Sequence, residues 1–159
     1  MRPRRTIRMV LWTNEENGFA GVKSYLVDHA DELPLHVVAM EADAGGFAPD
    51  MLAVKHQDPA VQAVAQEQLS AIIRLLVDKV GPMSIWPGAS APDASKFVPE
   101  GVMAVGLHTW REHYFDIHHT HADTVDKVDP EELTRSAAVM AATAWVMAEM
   151  PTLLGVTVP

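Results

Sequence analysis

Three places in the chain carry side chains able to do hydrolytic chemistry. The adjacent carboxylates Glu15 and Glu16 follow an apolar stretch, Asp43 stands just ahead of the glycine pair Gly45 and Gly46, and residues 117–124 pack His118, His119, His121 and Asp123 into eight positions. At a bend two neighbouring carboxylates can serve one site in different ways, one holding a metal and the other handling protons. That division suits metal-assisted hydrolysis, in which zinc acidifies water and a nearby carboxylate takes its proton. The chain has no cysteine, so any metal site must be built from His, Asp and Glu. Taken alone, each place has a plainer reading. Glu15-Glu16 can be a solvated acidic turn, Asp43 can close an Asx turn, and a histidine run can lie on the surface.

The elements that must position these residues are legible from periodicity and punctuation. Residues 6–13 begin with alternation and become continuously apolar, which predicts a strand entering a sheet covered on both faces. Phe19, Val22, Leu26 and His29 recur at helical spacing, with Pro34 beyond. Residues 35–41 repeat the buried-strand pattern and run into Asp43. Asp58 and Pro59 supply an N-cap and a first-turn proline, and Val61, Val64, Ala65, Leu69, Ile72, Ile73, Leu76 and Val80 fall on one face. A short strand is expected at 83–86, then a long Pro- and Gly-rich loop to Pro99, then a strand at 102–107. Asp129, Pro130 and Glu132 have the pattern of an N-cap, first-turn proline and capping-box carboxylate for a last helix reaching about Met150.

Strands alternating with helices predict an α/β fold, a three-layer sandwich with a mixed, largely parallel sheet, in one domain over residues 1–159. In such sheets ligands gather beyond the carboxyl ends of strands, which is where residues 14–18, 42–49 and the loops near His119 are expected. With 12 basic and 21 acidic residues the formal charge is -9, against a nucleic-acid partner. The apolar run 137–148 is short of the ~20 residues of a membrane span and rich in alanine, so it reads as a buried helix. The basic N-terminus is followed by too short an apolar stretch for an export signal to be read.

The residues that join these places carry a resemblance. The stretch RTIRMVLWTNEENG from Arg5 to Gly18 resembles the strand and Glu-Glu turn of the zinc exopeptidase family that includes carboxypeptidase Q and bacterial two-zinc aminopeptidases. MEADAGGFAP from Met40 to Pro49 is similar to that family's second metal-binding turn, and YFDIHHTHADT from Tyr114 to Thr124 to its final one. The three motifs stand in the family's order over about Arg4 to Met150. The resemblance implies Glu15 as general base, Glu16 and His119 as ligands of one zinc, Asp43 as a ligand of a second, and Asp123 in a supporting or helix-start role. His118 stays unassigned.

The departures carry expectations too. Family members supply a further histidine and a bridging aspartate from a segment upstream of the Glu-Glu strand, where this chain has only Met1 to Arg5. The family's glycine-rich Asp loop survives within residues 88–94 as Gly88 and Asp93 alone. The resemblance therefore implies the C-terminal portion of a catalytic domain with a partial zinc site, acting on a terminal peptide bond or a dipeptide. The alternative is a truncated, inactive module that only binds. A sheet lacking its neighbouring strands is expected to expose an edge that invites self-association.

Overall fold

A computed structural model describes residues 2–88 and 91–157 of the chain. Ala89 and Ser90, inside the loop that runs from Gly88 to Asp93, lie outside the described residues, as do Met1, Val158 and Pro159.

Four strands form one mixed sheet, β1 (Val38–Ala42), β2 (Pro49–Lys55), β3 (Ser84–Pro87) and β4 (Met103–Thr109), in the order β1-β4-β2-β3. The β1–β4 and β2–β3 pairs are parallel and the β2–β4 pair is antiparallel. Among the described residues four α-helices accompany the sheet: α1 (Ala20–Asp28), α2 (Pro59–Val80), the single turn α3 (Tyr114–Ile117) and α4 (Pro130–Glu149). No helix among the described residues is long and apolar enough to cross a membrane.

The side chains of the strands sort the two faces. Met103, Val105 and Leu107 of β4 join Leu52 and Val54 of β2 in a core with Ala65, Leu69, Ile72 and Ile73 of α2 and Val139 and Met147 of α4. The opposite face is lined by small residues, and Ala39 and Ala104 let Ala91 and Ala94 approach closely. Beyond them Val22 of α1 packs with Leu33, Phe97 and Val102, flanked by Trp12 and Phe19. The sheet is thus the middle layer of three, as expected. The α2 cap forms as its sequence dictates, the Asp58 carboxylate accepting from the Ala60 amide at 2.8 Å. In α4 the Asp129 carboxylate accepts from the amides of Glu131 and Glu132 at 2.7 and 3.3 Å.

The expected strand at residues 6–13 is not one. The segment has no ladder partner among the described residues, because β1 ends the sheet on its side and bonds only to β4. It is held instead by side chains and by its ends. Arg5 donates through Nη1 to the carbonyls of Met147 and Met150, Arg8 reaches Tyr25 Oη and Glu32, and Trp12 meets the edge of Tyr25. Met9 and Leu11 are each 86% exposed. Strand β2 is the converse case. The sequence reading places no element there, since Pro49 and the preceding glycines look like turn. Proline is tolerated as a strand's first residue, and a register shift between Pro49 and Met51 absorbs it. Part of the long loop before Pro99 is also ordered, as a 3-10 segment from Ala94 to Glu100.

Two close contacts tie the loops to this frame. Gly21, one residue inside α1, donates to the Thr13 carbonyl at 3.0 Å, and a Cβ there would stand 2.6 Å from that oxygen. Only glycine lets the segment before Glu15 lie on α1. On the small-residue face Glu41, 8% exposed, accepts from the Ala94 amide at 2.7 Å and so pins the 94–100 segment to β1. Burial is the main force that pushes the Glu41 carboxyl up to about 7, helped by the charges of Asp93 and Asp43 and opposed by the Ala94 amide.

Gly21→Ala should cost about 1–3 kcal/mol by overpacking and loosen residues 6–17 ahead of the sheet, read as a lower urea midpoint with earlier proteolysis in that segment. Glu41 holds its proton in the native chain up to about 7 and loses it when unfolded near 4.5. Its contribution is therefore fully present below about 4.5, falls as pH rises through this window, and levels off above about 7. Urea titrations of metal-free protein should show a shallower decline across that window for Glu41→Gln, which keeps the acceptor oxygen without the charge.

Candidate active site

The Glu-Glu turn is built by two residues in the left-handed region. Asn14 has φ 61° and Phe19 φ 63°, and between them Glu15–Asn17 forms one 3-10 turn. The Glu15 carbonyl accepts from the amides of Gly18 and Phe19 at 3.0 and 2.8 Å, and the Asn17 side-chain amide donates to Asn14 Oδ1 at 2.6 Å. Asparagine tolerates this conformation, whereas phenylalanine adopts it only when its surroundings impose it. The third such non-glycine residue among the described residues is His119, with φ 58°. All three strained positions thus lie in or next to two of the three turns singled out by sequence, as expected where a fold holds functional groups against backbone preference.

Those turns meet. His119 Nε2 lies 2.8 Å from Glu16 Oε1, with the two side chains 58% and 68% exposed. Behind His119 the rings continue as a stack, His118 at 3.9 Å from His119 and Tyr114 at 4.4 Å from His118. The Arg111 guanidinium lies over Tyr114 at 5.1 Å. The stack limits the rotation of His118 and so supports the ring that faces Glu16.

Glu15 is half-buried, and desolvation raises its carboxyl above the ordinary range. The charges of Glu16, Asp93 and Asp43 push the same way, and Lys96 opposes them. Asp43, exposed one residue past β1, bears on Glu15, Glu41, Asp93 and Tyr114 alike, which places it in the same neighbourhood. Asp123 is exposed in the turn ahead of the 3-10 segment Val125–Lys127 and bears on Tyr114, while the cap of α4 is Asp129.

Carboxylate oxygen and imidazole nitrogen are the donors zinc takes in the absence of thiolates, so the Glu16–His119 pair fits that ion in kind. Among the described residues, no three His, Asp or Glu side chains converge as a cation site.

Several participants escape the sequence reading. Glu41 gives a signal in retrospect, as the one charge in a buried-strand pattern. Asp93, noted only as a remnant of a loop, is 2% exposed with Oδ1 unpartnered among the described residues, and burial and Asp43 raise its carboxyl. Lys96 and Arg111 give no signal, since single cations in loops are common.

Comparison with known proteins shows the family. The profile of peptidase family M28 matches residues 1–144. Carboxypeptidase Q of Rattus norvegicus is 35% identical over 154 residues, 97% of this chain and 31% of the relative. The Homo sapiens protein of that name is 34% identical over the same share of the chain. Among solved structures, the peptidase M28 precursor from Shewanella amazonensis SB2B superposes with a TM-score of 0.84 at 34% identity, covering 100% of this chain and 35% of that one. An aminopeptidase from Aneurinibacillus sp. strain AM-1 shares the fold, with a TM-score of 0.56 at 21% identity over 93% of this chain and 34% of that one. The chain spans about a third of the length of these proteins. With a family profile over residues 1–144 and, over 97% of its own length, 35% identity to a relative, the chain belongs to peptidase family M28.

Proposed function

We propose that the chain forms the proton-handling part and a portion of the metal set of a zinc exopeptidase acting on a terminal peptide bond or a dipeptide. The observation that carries this reading is the contact of Glu16 with His119 at 2.8 Å beside a half-buried Glu15 whose carboxyl is raised. In this reading Glu16 and His119 hold one zinc, Asp43 contributes to a second, and Asp123 supports the turn that carries His119. Bound zinc supplies Lewis acidity toward water and the scissile carbonyl. Glu15 accepts the proton of the attacking water at its carboxylate and returns it to the leaving amide nitrogen, and a raised pKa brings its proton affinity closer to that work. The Tyr114–His118 stack keeps His119 in place.

A second reading, a module that binds without turnover, is supported by the lack of any three-donor group among the described residues. The exposed row of Ile7, Met9 and Leu11 also supports association of this surface with another copy of the chain.

If Glu15 is the base, Glu15→Gln in a form with the full zinc set retains zinc and lowers turnover of a mixed dipeptide panel by about 10²–10⁴-fold. Unchanged turnover would remove Glu15 from that role, and loss of zinc together with activity would make it a ligand. Zinc with fewer than the usual three protein donors is weakly held. The 159-residue chain should therefore retain at most one zinc after dialysis, lose it to a mild chelator, and elute above monomer size on gel filtration. Two zincs surviving dialysis would show that further donors complete the set.

A further inference from the structure

The functional neighbourhood is crowded with acids, Glu15, Glu16, Glu41, Asp43 and Asp93, and Lys96 is the cation that opposes the charge on both Glu15 and Asp93. Its position is built from both sides. The segment that carries it is pinned to β1 by the Ala94 amide on Glu41 at 2.7 Å. Its Nζ rests 3.6 Å from the centroid of the Phe19 ring. Phe19 is the residue held at φ 63° whose amide closes the Glu15 turn at 2.8 Å. The left-handed backbone at Phe19 therefore sets a ring under the ammonium next to the turn that carries Glu15.

Among the described residues Nζ makes no ion pair, although its charge bears on Glu15 and Asp93. A cation over a ring keeps hydrogens free for another acceptor, and a charge-assisted hydrogen bond is stronger than the ring contact it would supplement or replace. A lysine stem has the reach and freedom to make that exchange. The acceptor that a peptide brings is its own terminus, because successive residues advance by about 3.5 Å and the carboxylate of a dipeptide lies one residue beyond the bond to be cut.

Resting on the reading of Glu15 as the base, we propose that Lys96 binds the terminal α-carboxylate of a short peptide and makes the site select substrates with a free C-terminus.

The test uses the 159-residue chain with added zinc and two probes, alanyl-leucine and its C-terminal amide, followed by calorimetric binding and by hydrolysis. The wild type should bind the acid more tightly than the amide. Lys96→Met and Lys96→Gln should weaken the acid about 10–100-fold, as expected for loss of a hydrogen bond to a charged group, and leave the amide unaltered. Lys96→Arg should restore most of the preference, and Arg111→Met, which removes the unpaired cation over Tyr114, should keep it. An equal loss on both probes, an unchanged preference in the Lys96 variants, abolition of the preference by Arg111→Met, or a wild type that binds neither probe would overturn the proposal. Hydrolysis separates the two readings. A wild type that cuts both probes without discrimination leaves the peptidase standing and removes the carboxylate site. One that binds the acid through Lys96, while Glu15→Gln leaves turnover unchanged in a form with the full zinc set, keeps the carboxylate site and removes Glu15 as the base.

Discussion

The parallel pairing of β1 with β4 is the constraint from which the site follows. In register, Ala42 lies opposite Leu107, so both strands deliver the chain to the same end of the sheet. Asp43 emerges one residue past β1, and the segment leading through Trp110 to His119 emerges past β4. Trp110 donates its amide to the Ala48 carbonyl at 2.8 Å, which keeps the two exits together. The antiparallel β2 then locks β4 from its other side. The ladder places the base of the His119 loop and the Gly21–Thr13 contact with α1 places the Glu16 turn, so turns 103 residues apart in sequence meet.

An exposed pair of this kind contributes little stability by itself, about 0–1 kcal/mol. Its geometry is maintained by what lies behind it. On one side Asn14 and Phe19 take up left-handed backbone, and Gly21 admits Thr13 onto α1. On the other His119 is strained and backed by the rings of His118 and Tyr114. The buried side chains that anchor α1 and the sheet, Val22, Phe97, Leu52 and Val105 among them, supply the apolar burial that offsets this strain.

Electrostatics at this end of the sheet runs against stability and toward binding cations. Burial raises the carboxyls of Glu15, Glu41 and Asp93, and neighbouring charges, Asp43 on all three, push the same way, with Lys96 opposing at Glu15 and Asp93. Glu41 is the extreme case, since its carboxyl is buried yet spent on one structural task, the Ala94 amide. Such an arrangement favours positive charge from a ligand or ion, consistent with the chemistry of the family to which the chain belongs.

The sequence by itself determined α1, α2, α4 and most of the sheet, because their signals are local. Asp58-Pro59 and Asp129-Pro130 cap α2 and α4 as expected, and apolar periodicity marks the face of α2. The three chemical turns were also legible, through residue types and order. Tertiary structure alone decided the rest. Whether residues 6–13 become a strand depends on a neighbour to bond with, and periodicity cannot supply one. Whether Pro49 starts a strand depends on a register shift against β4. The pairing of Glu16 with His119, the burial of Glu41 and Asp93, and the seat of Lys96 on Phe19 arise between segments distant along the chain. Contacts of that kind are set by the packing of layers, which no local pattern encodes.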